Sequence, residues 1–151
     1  MRYQHTQHAP LGYILLAIGL IMVLATLWIP EVEGKWVMGV SAAIMLLVAG
    51  MFQTLSTSDE GEHLLFKFGP LPLFQRKVPF QDITAIEAGK TNWLDGWGVH
   101  ASLKGGWVWN LWGFDCLVLH LSQGRTLRIG TDDVAGLQTY LQEKLAKSAN
   151  S

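Results

Sequence analysis

The acidic and histidine side chains near a tryptophan-rich stretch are the first candidates for chemistry in this sequence. Asp95 and Asp115 flank the stretch and could act as a carboxylate pair, with His100 between them in the chain. Such a set would suit proton transfer in a small membrane enzyme or accessory subunit whose site is completed by another chain. Turns beside Gly96 and Phe114 explain the two aspartates as well, and we therefore predict no catalytic residue.

Metal and cofactor sites are not indicated by the remaining reactive side chains. Cys116 is the only cysteine, so the chain has neither a disulfide nor a cysteine-based zinc site, as is typical of a reducing compartment. His63, His100 and His120 fall on separate predicted strands, without the spacing of a helical ligand pair. Gly96-Trp-Gly98 lacks the third glycine and the following helix of a dinucleotide site. We predict no metal and no cofactor.

Five of the seven tryptophans fall within one short stretch of the sequence. They are Trp93, Trp97, Trp107, Trp109 and Trp112. Three interpretations are open: packing in a core, an interfacial belt that presses the domain onto a bilayer, or an exposed patch for a partner. The sequence favours core packing for some of these rings and a surface role for others.

The charge of the chain after residue 55 is nearly balanced. Nine Lys and Arg residues stand against ten Asp and Glu residues in this part. A protein that binds nucleic acid needs an excess of positive charge to neutralise phosphates. We predict no nucleic-acid partner.

Two apolar runs near the start of the chain determine where the rest of the chain lies. Residues 11–29 and 36–55 contain no charged side chain and are separated by a short loop at residues 30–35. Each run has about the 20 residues that an α-helix needs to cross a bilayer. A signal peptide is the alternative for the first run, but the run is too long for one. Two buried soluble helices are the other alternative, but the rest of the chain could hardly cover them. We predict a membrane hairpin at residues 11–55.

Charge near the hairpin predicts its orientation. The loop holds two Glu and one Lys, whereas Arg2 precedes the first run and most of the other Lys and Arg residues follow the second. Because positive charge stays on the cytoplasmic side, we predict a multi-pass protein of the inner (plasma) membrane with both termini in the cytoplasm.

Small residues in the second run favour close contact with another helix. Gly39 and Ala43 lie one helical turn apart, and association in lipid depends on such close packing. The neighbour is either the first run or another molecule. Besides the lipid bilayer, we therefore predict a membrane-protein partner or a homo-oligomer.

The rest of the chain divides into a polar lead, a linker, one domain and a tail. These are placed at residues 1–10, 56–61, 62–147 and 148–151. Alternating apolar residues in the domain predict about seven short strands. A helix then begins near Thr131-Asp-Asp133, because an apolar stripe recurs at helical spacing after it. The stripe consists of Val134, Leu137, Leu141 and Leu145.

Several short motifs follow one another through the predicted domain. They are Arg76-Lys-Val-Pro-Phe-Gln-Asp-Ile83, Gly96-Trp-Gly-Val99, Gly106-Trp107, Asn110, Gly113 and Ile129-Gly-Thr-Asp132. Their order resembles the bacterial pleckstrin-homology-like (PH-like) domains of small membrane proteins, in which one or two spans often precede the domain. The resemblance implies a bent, seven-stranded barrel or sandwich capped by a C-terminal helix, and a cytosolic domain without catalytic activity.

The resemblance also implies a place for an anion. Eukaryotic relatives of the fold can bind inositol phosphates through basic residues near the first strand pair, and Arg76 and Lys77 lie close to that place. Ordinary charge beside a membrane is the alternative interpretation of the two residues. The whole sequence predicts a membrane protein that presents a non-catalytic PH-like domain for binding a protein, a peptide or a lipid headgroup. The alternative is the accessory subunit or small membrane enzyme described above.

Overall fold

A helical hairpin forms the first large feature of the computed structural model, which describes residues 2–91, 96–102 and 105–149. Helix α1 spans Pro10–Ala25 and continues as a 3₁₀ turn over Thr26–Trp28, and helix α2 spans Val32–Met51. The two apolar stretches contain 19 and 20 residues and are long enough to cross a bilayer, as predicted. Helix α2 begins and ends one turn earlier than predicted. Glu33 lies in its first turn, where a carboxylate meets the positive end of the helix dipole, and the helix ends before β2 begins at Thr54.

Small residues bring α1 and α2 together. Ala42 and Ala49 on α2 are fully buried, and Gly19 is one of the buried residues of α1. A Cβ at Gly19 would lie 2.7 Å from a methyl group of Leu46, so a larger residue here would force the Leu46 side chain to shift. An added Cβ on Gly39 would meet no atom within 4 Å. Gly39 therefore lies away from the contact between the two helices.

Four antiparallel strands form the first sheet, in the order β1-β2-β3-β4. They are β1 at Gln4–His8, β2 at Thr54–Asp59, β3 at His63–Gly69 and β4 at Gln75–Pro79. The lead and the linker expected at residues 1–10 and 56–61 therefore differ from the structure, since most of their residues lie in β1 and β2. The two strands are rich in Gln, Ser and Thr, and Leu55 is their single large apolar core residue. An apolar pattern could not reveal them.

The helical hairpin is inserted between β1 and β2, which are neighbours in the first sheet. The last paired residues of the two strands are His8 and Thr54. Beyond them the Ala9 N–H donates to the carbonyl of Gln53 at 3.0 Å, and α1 begins at the next residue. The amino-terminal strand and the rest of the domain therefore lie at the same end of the hairpin. We call this end the base of the hairpin: the start of α1 and the end of α2.

Five strands form the second sheet, in the order β5-β8-β9-β7-β6. They are β5 at Ile83–Lys90, β6 at Gly98–Ala101, β7 at Trp107–Asn110, β8 at Asp115–Leu121 and β9 at Arg125–Gly130. Strands β7 and β9 run parallel, and the other pairs run antiparallel. The strands expected within residues 62–147 are present. In the described part of the chain the two sheets contain nine strands and do not close into a barrel.

Helix α3 at Val134–Ala149 packs against the second sheet and completes the core. The carboxylate of Asp133 accepts a hydrogen bond from the Gly136 N–H at 3.0 Å, so the predicted helix start is confirmed. Leu137 and Leu141 are fully buried, and the other two stripe residues pack beside them. The core consists of the facing sides of the two sheets together with this stripe.

Candidate functional site

The β3–β4 turn, residues 70–74, lies against the base of the hairpin. The Leu71 N–H donates to the carbonyl of Gly50 at 3.1 Å, and the Leu71 side chain lies over this glycine. The ring of Phe74 is 5.9 Å from that of Phe52, the residue at the end of α2. Leu71, Leu73 and Phe74 are nevertheless 43, 65 and 40% exposed. The turn therefore presents apolar side chains beside the helices.

Trp97 occupies another part of the base of the hairpin. It lines a cavity of about 210 Å³ with residues of both helices and of the second sheet: Leu11, Leu15, Val48, Phe52, Gly98 and Leu111. The Trp97 ring stacks on that of Trp112, with 4.6 Å between centroids and 21° between planes. The Trp112 carbonyl accepts a hydrogen bond from Gln7 at 2.9 Å. This stack joins the second sheet to β1 and to the hairpin.

The tryptophan stretch is divided among three environments. Trp109 is 6% exposed and packs against Phe68 at 5.7 Å, so it belongs to the core. Trp97 and Trp112 form the stack at the base of the hairpin. Trp107 is 48% exposed on the surface. Trp93 lies outside the described residues.

The two basic residues proposed for an anion contact point to opposite faces of β4. Lys77 lies on the outer face, and its ammonium group is 2.7 Å from the carboxylate of Glu60. Arg76 shares the inner face with the buried Val78. There it lies near Arg125 at the start of β9. The structure thus brings Arg76 near a residue that sequence reasoning did not select, because the packing of the two sheets places Arg125 there.

Arg76 and Arg125 line a cleft of about 520 Å³. The wall of the cleft also contains Trp107, Thr126 and the Gly105-Gly106 turn. Burial, and then the like charge of Arg125, lowers the pKa of the Arg76 guanidinium from its ordinary value. Neither guanidinium pairs with a carboxylate among the described residues. Two uncompensated cations in a concave site favour an anion, and guanidinium groups suit phosphate or carboxylate geometry.

The residues of the alternative enzyme hypothesis do not form a cluster in the part of the chain that is described. His100 lies on β6 and Asp115 begins β8, with β7 and β9 between them in the sheet. At the usual strand spacing this separates them by about 14 Å. The Asp115 carboxylate is instead 3.5 Å from the ammonium group of Lys90. Asp95 lies outside the described residues.

A buried carboxylate at the far end of the first sheet was not found from the sequence. Asp59 is 6% exposed and accepts hydrogen bonds from the Tyr140 hydroxyl, the Gly61 N–H and the Lys144 ammonium group, the last at 3.1 Å. Burial alone would raise the pKa of Asp59, but these donors hold it below its ordinary value. Burial and the bond to Asp59 raise the pKa of Tyr140 to about 12. The cluster joins β2 to α3.

A second set of contacts ties β1 to the start of α3. The Tyr3 hydroxyl donates to Asp133 at 2.9 Å, and a ring nitrogen of His5 is 2.6 Å from a carboxylate oxygen of Asp132. The Tyr3 ring also lies 5.4 Å from that of Tyr140. These contacts are structural, because they fix an edge strand and a helix to each other.

A scan against protein-family models gave no match, and a search of curated proteins gave none either. Within residues 2–91, 96–102 and 105–149, no three His, Cys, Asp or Glu side chains lie close enough together to hold a metal ion. The two features that stand out are therefore the base of the hairpin and the Arg76–Arg125 cleft.

Proposed function

We propose that this chain is an integral, multi-pass membrane protein that presents a non-catalytic β domain at the cytoplasmic face of the inner membrane. The carrying observation is the insertion of an apolar helical hairpin between neighbouring strands β1 and β2. Such an insertion holds the domain directly at the bilayer surface. It also requires both termini to lie on one side, if both helices cross.

Charge supports the cytoplasmic side. The connection between the helices and the first turn of α2 carry Glu31, Glu33 and Lys35, whereas nine Lys and Arg residues follow the hairpin. Lys and Arg are enriched on the cytoplasmic side of spans. The exposed Trp28 and Trp36, at 87 and 72%, flank the connection at the depth that indole rings prefer.

The domain is proposed to be a binding module of the PH-like kind. Support comes from two packed sheets and a terminal helix, although the parallel β7–β9 pair and the nine strands go beyond the expected pattern. Its ligand is a protein, a peptide or a lipid headgroup. The cleft favours the headgroup, because Arg76 and Arg125 supply two cations for one phosphate. Lys77, by contrast, is engaged by Glu60.

The height of the cleft agrees with a headgroup ligand. Arg76 pairs with Phe66 on β3, three residues from Gly69, where the strand reaches the base of the hairpin. At the rise of a strand this is about 10 Å. A headgroup layer is about 5 to 8 Å thick on each side of the hydrocarbon core, and an arginine side chain can reach down into it.

A homo-oligomer or membrane-protein partner is proposed for the outer face of α2. Gly39 and Ala43 line a groove of about 700 Å³ beside Trp36 and Val40. Because Ala42 and Ala49 already make the contact with α1, these other small residues are free to accept a second helix.

Cysteine accessibility in intact cells and inverted vesicles tests the topology. Glu33→Cys in the connection and Gln81→Cys in the domain are each labelled with a membrane-impermeant maleimide, with the wild type as background because Cys116 is buried. We expect Glu33→Cys to react only from outside and Gln81→Cys only in inverted vesicles. Labelling of both from the same side would contradict the crossing, and the reverse pattern would invert the orientation.

Titration of the full-length protein in detergent with dibutanoyl phosphatidylglycerol tests the cleft. Arg76→Gln and Arg125→Gln should each weaken binding about tenfold, because each removes a charged hydrogen-bond donor. Lys77→Gln is the matched control and should bind like the wild type. An equal loss in all three variants would mean general attraction by charge and would end the headgroup proposal.

A further inference from the structure

The exposed apolar side chains of the β domain are unevenly distributed. Outside the helical hairpin, the large apolar residues that are exposed in the described part of the chain are Leu71, Leu73, Phe74, Trp97, Trp107 and Phe114. The first four lie in the β3–β4 turn or beside the cavity at the base of the hairpin. We name these four residues the apolar rim. Such a concentration marks an interaction surface rather than scattered exposure.

The apolar rim is continuous with the faces of the helices. Leu71 is bonded to Gly50 through its backbone, and the Phe74 ring contacts that of Phe52. Trp97 shares a cavity with Leu11 at the start of α1. The rim therefore reaches both helices at their domain-side ends. If lipid surrounds these ends of the helices, it also contacts the rim.

The composition of the β3–β4 turn agrees with a lipid solvent. Its sequence, Gly69-Pro-Leu-Pro-Leu-Phe74, contains no charged side chain, and Leu73 is 65% exposed. Lys67 on β3 is the nearest charged residue before the turn, and Arg76 on β4 is the nearest after it. Apolar tips without charge, bordered by basic residues, are typical of segments that enter the boundary between headgroups and acyl chains.

We propose that the apolar rim inserts into the leaflet from which the hairpin emerges, with the lipid bilayer as its partner. This inference rests on the proposed function, because it requires both helices to cross the membrane. The uncharged part of α2, from Trp36 to Met51, spans about 24 Å, which is less than the thickness of the hydrocarbon core, so the end of α2 and the attached rim lie at the interface or below it. The domain is thereby held in one orientation, and the Arg76–Arg125 cleft stays at a fixed height above the lipid.

Depth-dependent quenching in nanodiscs tests the insertion. Three single-site variants of the full-length protein carry an NBD fluorophore: Leu73→Cys in the rim, Ile14→Cys on the exposed side of α1 near its start, and Gln81→Cys at the far end of the first sheet. The lipid carries a spin label near the top of its acyl chain. Leu73 is largely exposed, so the substitution leaves the fold intact, and the unlabelled lipid provides the reference intensity.

Insertion predicts strong quenching at Leu73→Cys, comparable with that at Ile14→Cys and about threefold or more above that at Gln81→Cys, because the rim would lie about 5 to 10 Å inside the interface. Quenching at Ile14→Cys without quenching at Leu73→Cys would overturn the rim and leave the membrane span in place. Absence of quenching at Ile14→Cys would overturn the span itself. The two failures are therefore distinguishable.

Discussion

The two ends of the first sheet carry opposite chemistry. At the base of the hairpin the β3–β4 turn presents Leu71, Leu73 and Phe74. At the far end, Asp59 is held by Tyr140 and Lys144. The strands that connect the ends are the same four, so the difference lies in their terminal residues and turns. A single sheet is thus polarised along its strands, apolar toward the helices and charged away from them.

This polarity agrees with the proposal that the domain is attached to a bilayer. A free domain in water would gain little from an apolar turn, whereas one attached to a bilayer can place that turn in lipid. The charged end needs water and contacts to α3. The order β1, hairpin, β2 places both helices at the same end of the sheet.

The largest expected effect on stability comes from a substitution in the core beside the base of the hairpin. Trp109→Ala should lower the free energy of unfolding by about 3 to 5 kcal/mol, because a buried indole next to Phe68 is replaced by a cavity. Chemical unfolding of the full-length protein in detergent measures it. Trp107→Ala is the control, since its ring is 48% exposed. Equal losses would contradict the division of the tryptophan stretch.

At the far end, Asp59→Asn should cost about 2 to 3 kcal/mol. The amide keeps the shape but removes the charge that Lys144 and Tyr140 bind, and hydrogen bonds to charged groups are the stronger ones. The same unfolding experiment applies. Glu87→Gln, at a 62% exposed carboxylate beside His120, is the control and should be nearly neutral. An Asp59→Asn variant as stable as the wild type would mean that the Asp59 cluster does not stabilise the fold.

Acid should reduce the stability that Asp59 contributes at the far end of the sheet. Because the pKa of Asp59 is lowered in the folded protein, its contribution is present above the ordinary value of 3.8 and is lost as pH falls through the folded value. The stability difference between wild type and Asp59→Asn should therefore shrink as the pH drops from about 6 toward 3. Thermal unfolding across this range measures it. A difference that stays constant with pH would contradict the assignment.

The smallest expected effect concerns the ion pair on the outer face of the sheet. Lys77→Gln should change the free energy of unfolding by less than about 1 kcal/mol, because its partner Glu60 and the ammonium group are both exposed to solvent. Unfolding at low and high salt measures the electrostatic part of this change in free energy. A loss as large as that of Asp59→Asn would mean that exposed charge, and not the buried cluster, stabilises this half of the domain.

Local pattern was enough to predict most of the elements. The two apolar runs became α1 and α2, and the strands and terminal helix expected within residues 62–147 are present. The stripe of Leu137 and Leu141 is buried as expected. These features follow from hydrophobic periodicity, which is a property of neighbouring residues.

The candidate sites were less predictable, because they depend on pairing between distant segments. Arg76 was selected from the sequence, but its partner Arg125 is brought near by the packing of two sheets. Asp59 lay in a segment expected to be a linker, and only its neighbours on α3 explain its burial. For the rim residue Leu73, the sequence shows only an apolar turn and does not indicate that this turn lies beside the helices.

The sequence by itself determined the helical hairpin and the strands of the β domain, since both follow from the spacing of apolar residues. The tertiary structure decided that β1 pairs with β2 across the hairpin. It also decided which charges meet and which apolar side chains surround the helices. The physical reason is that strand register and sheet packing join residues far apart in the chain, and the energy of those contacts has no trace in local periodicity.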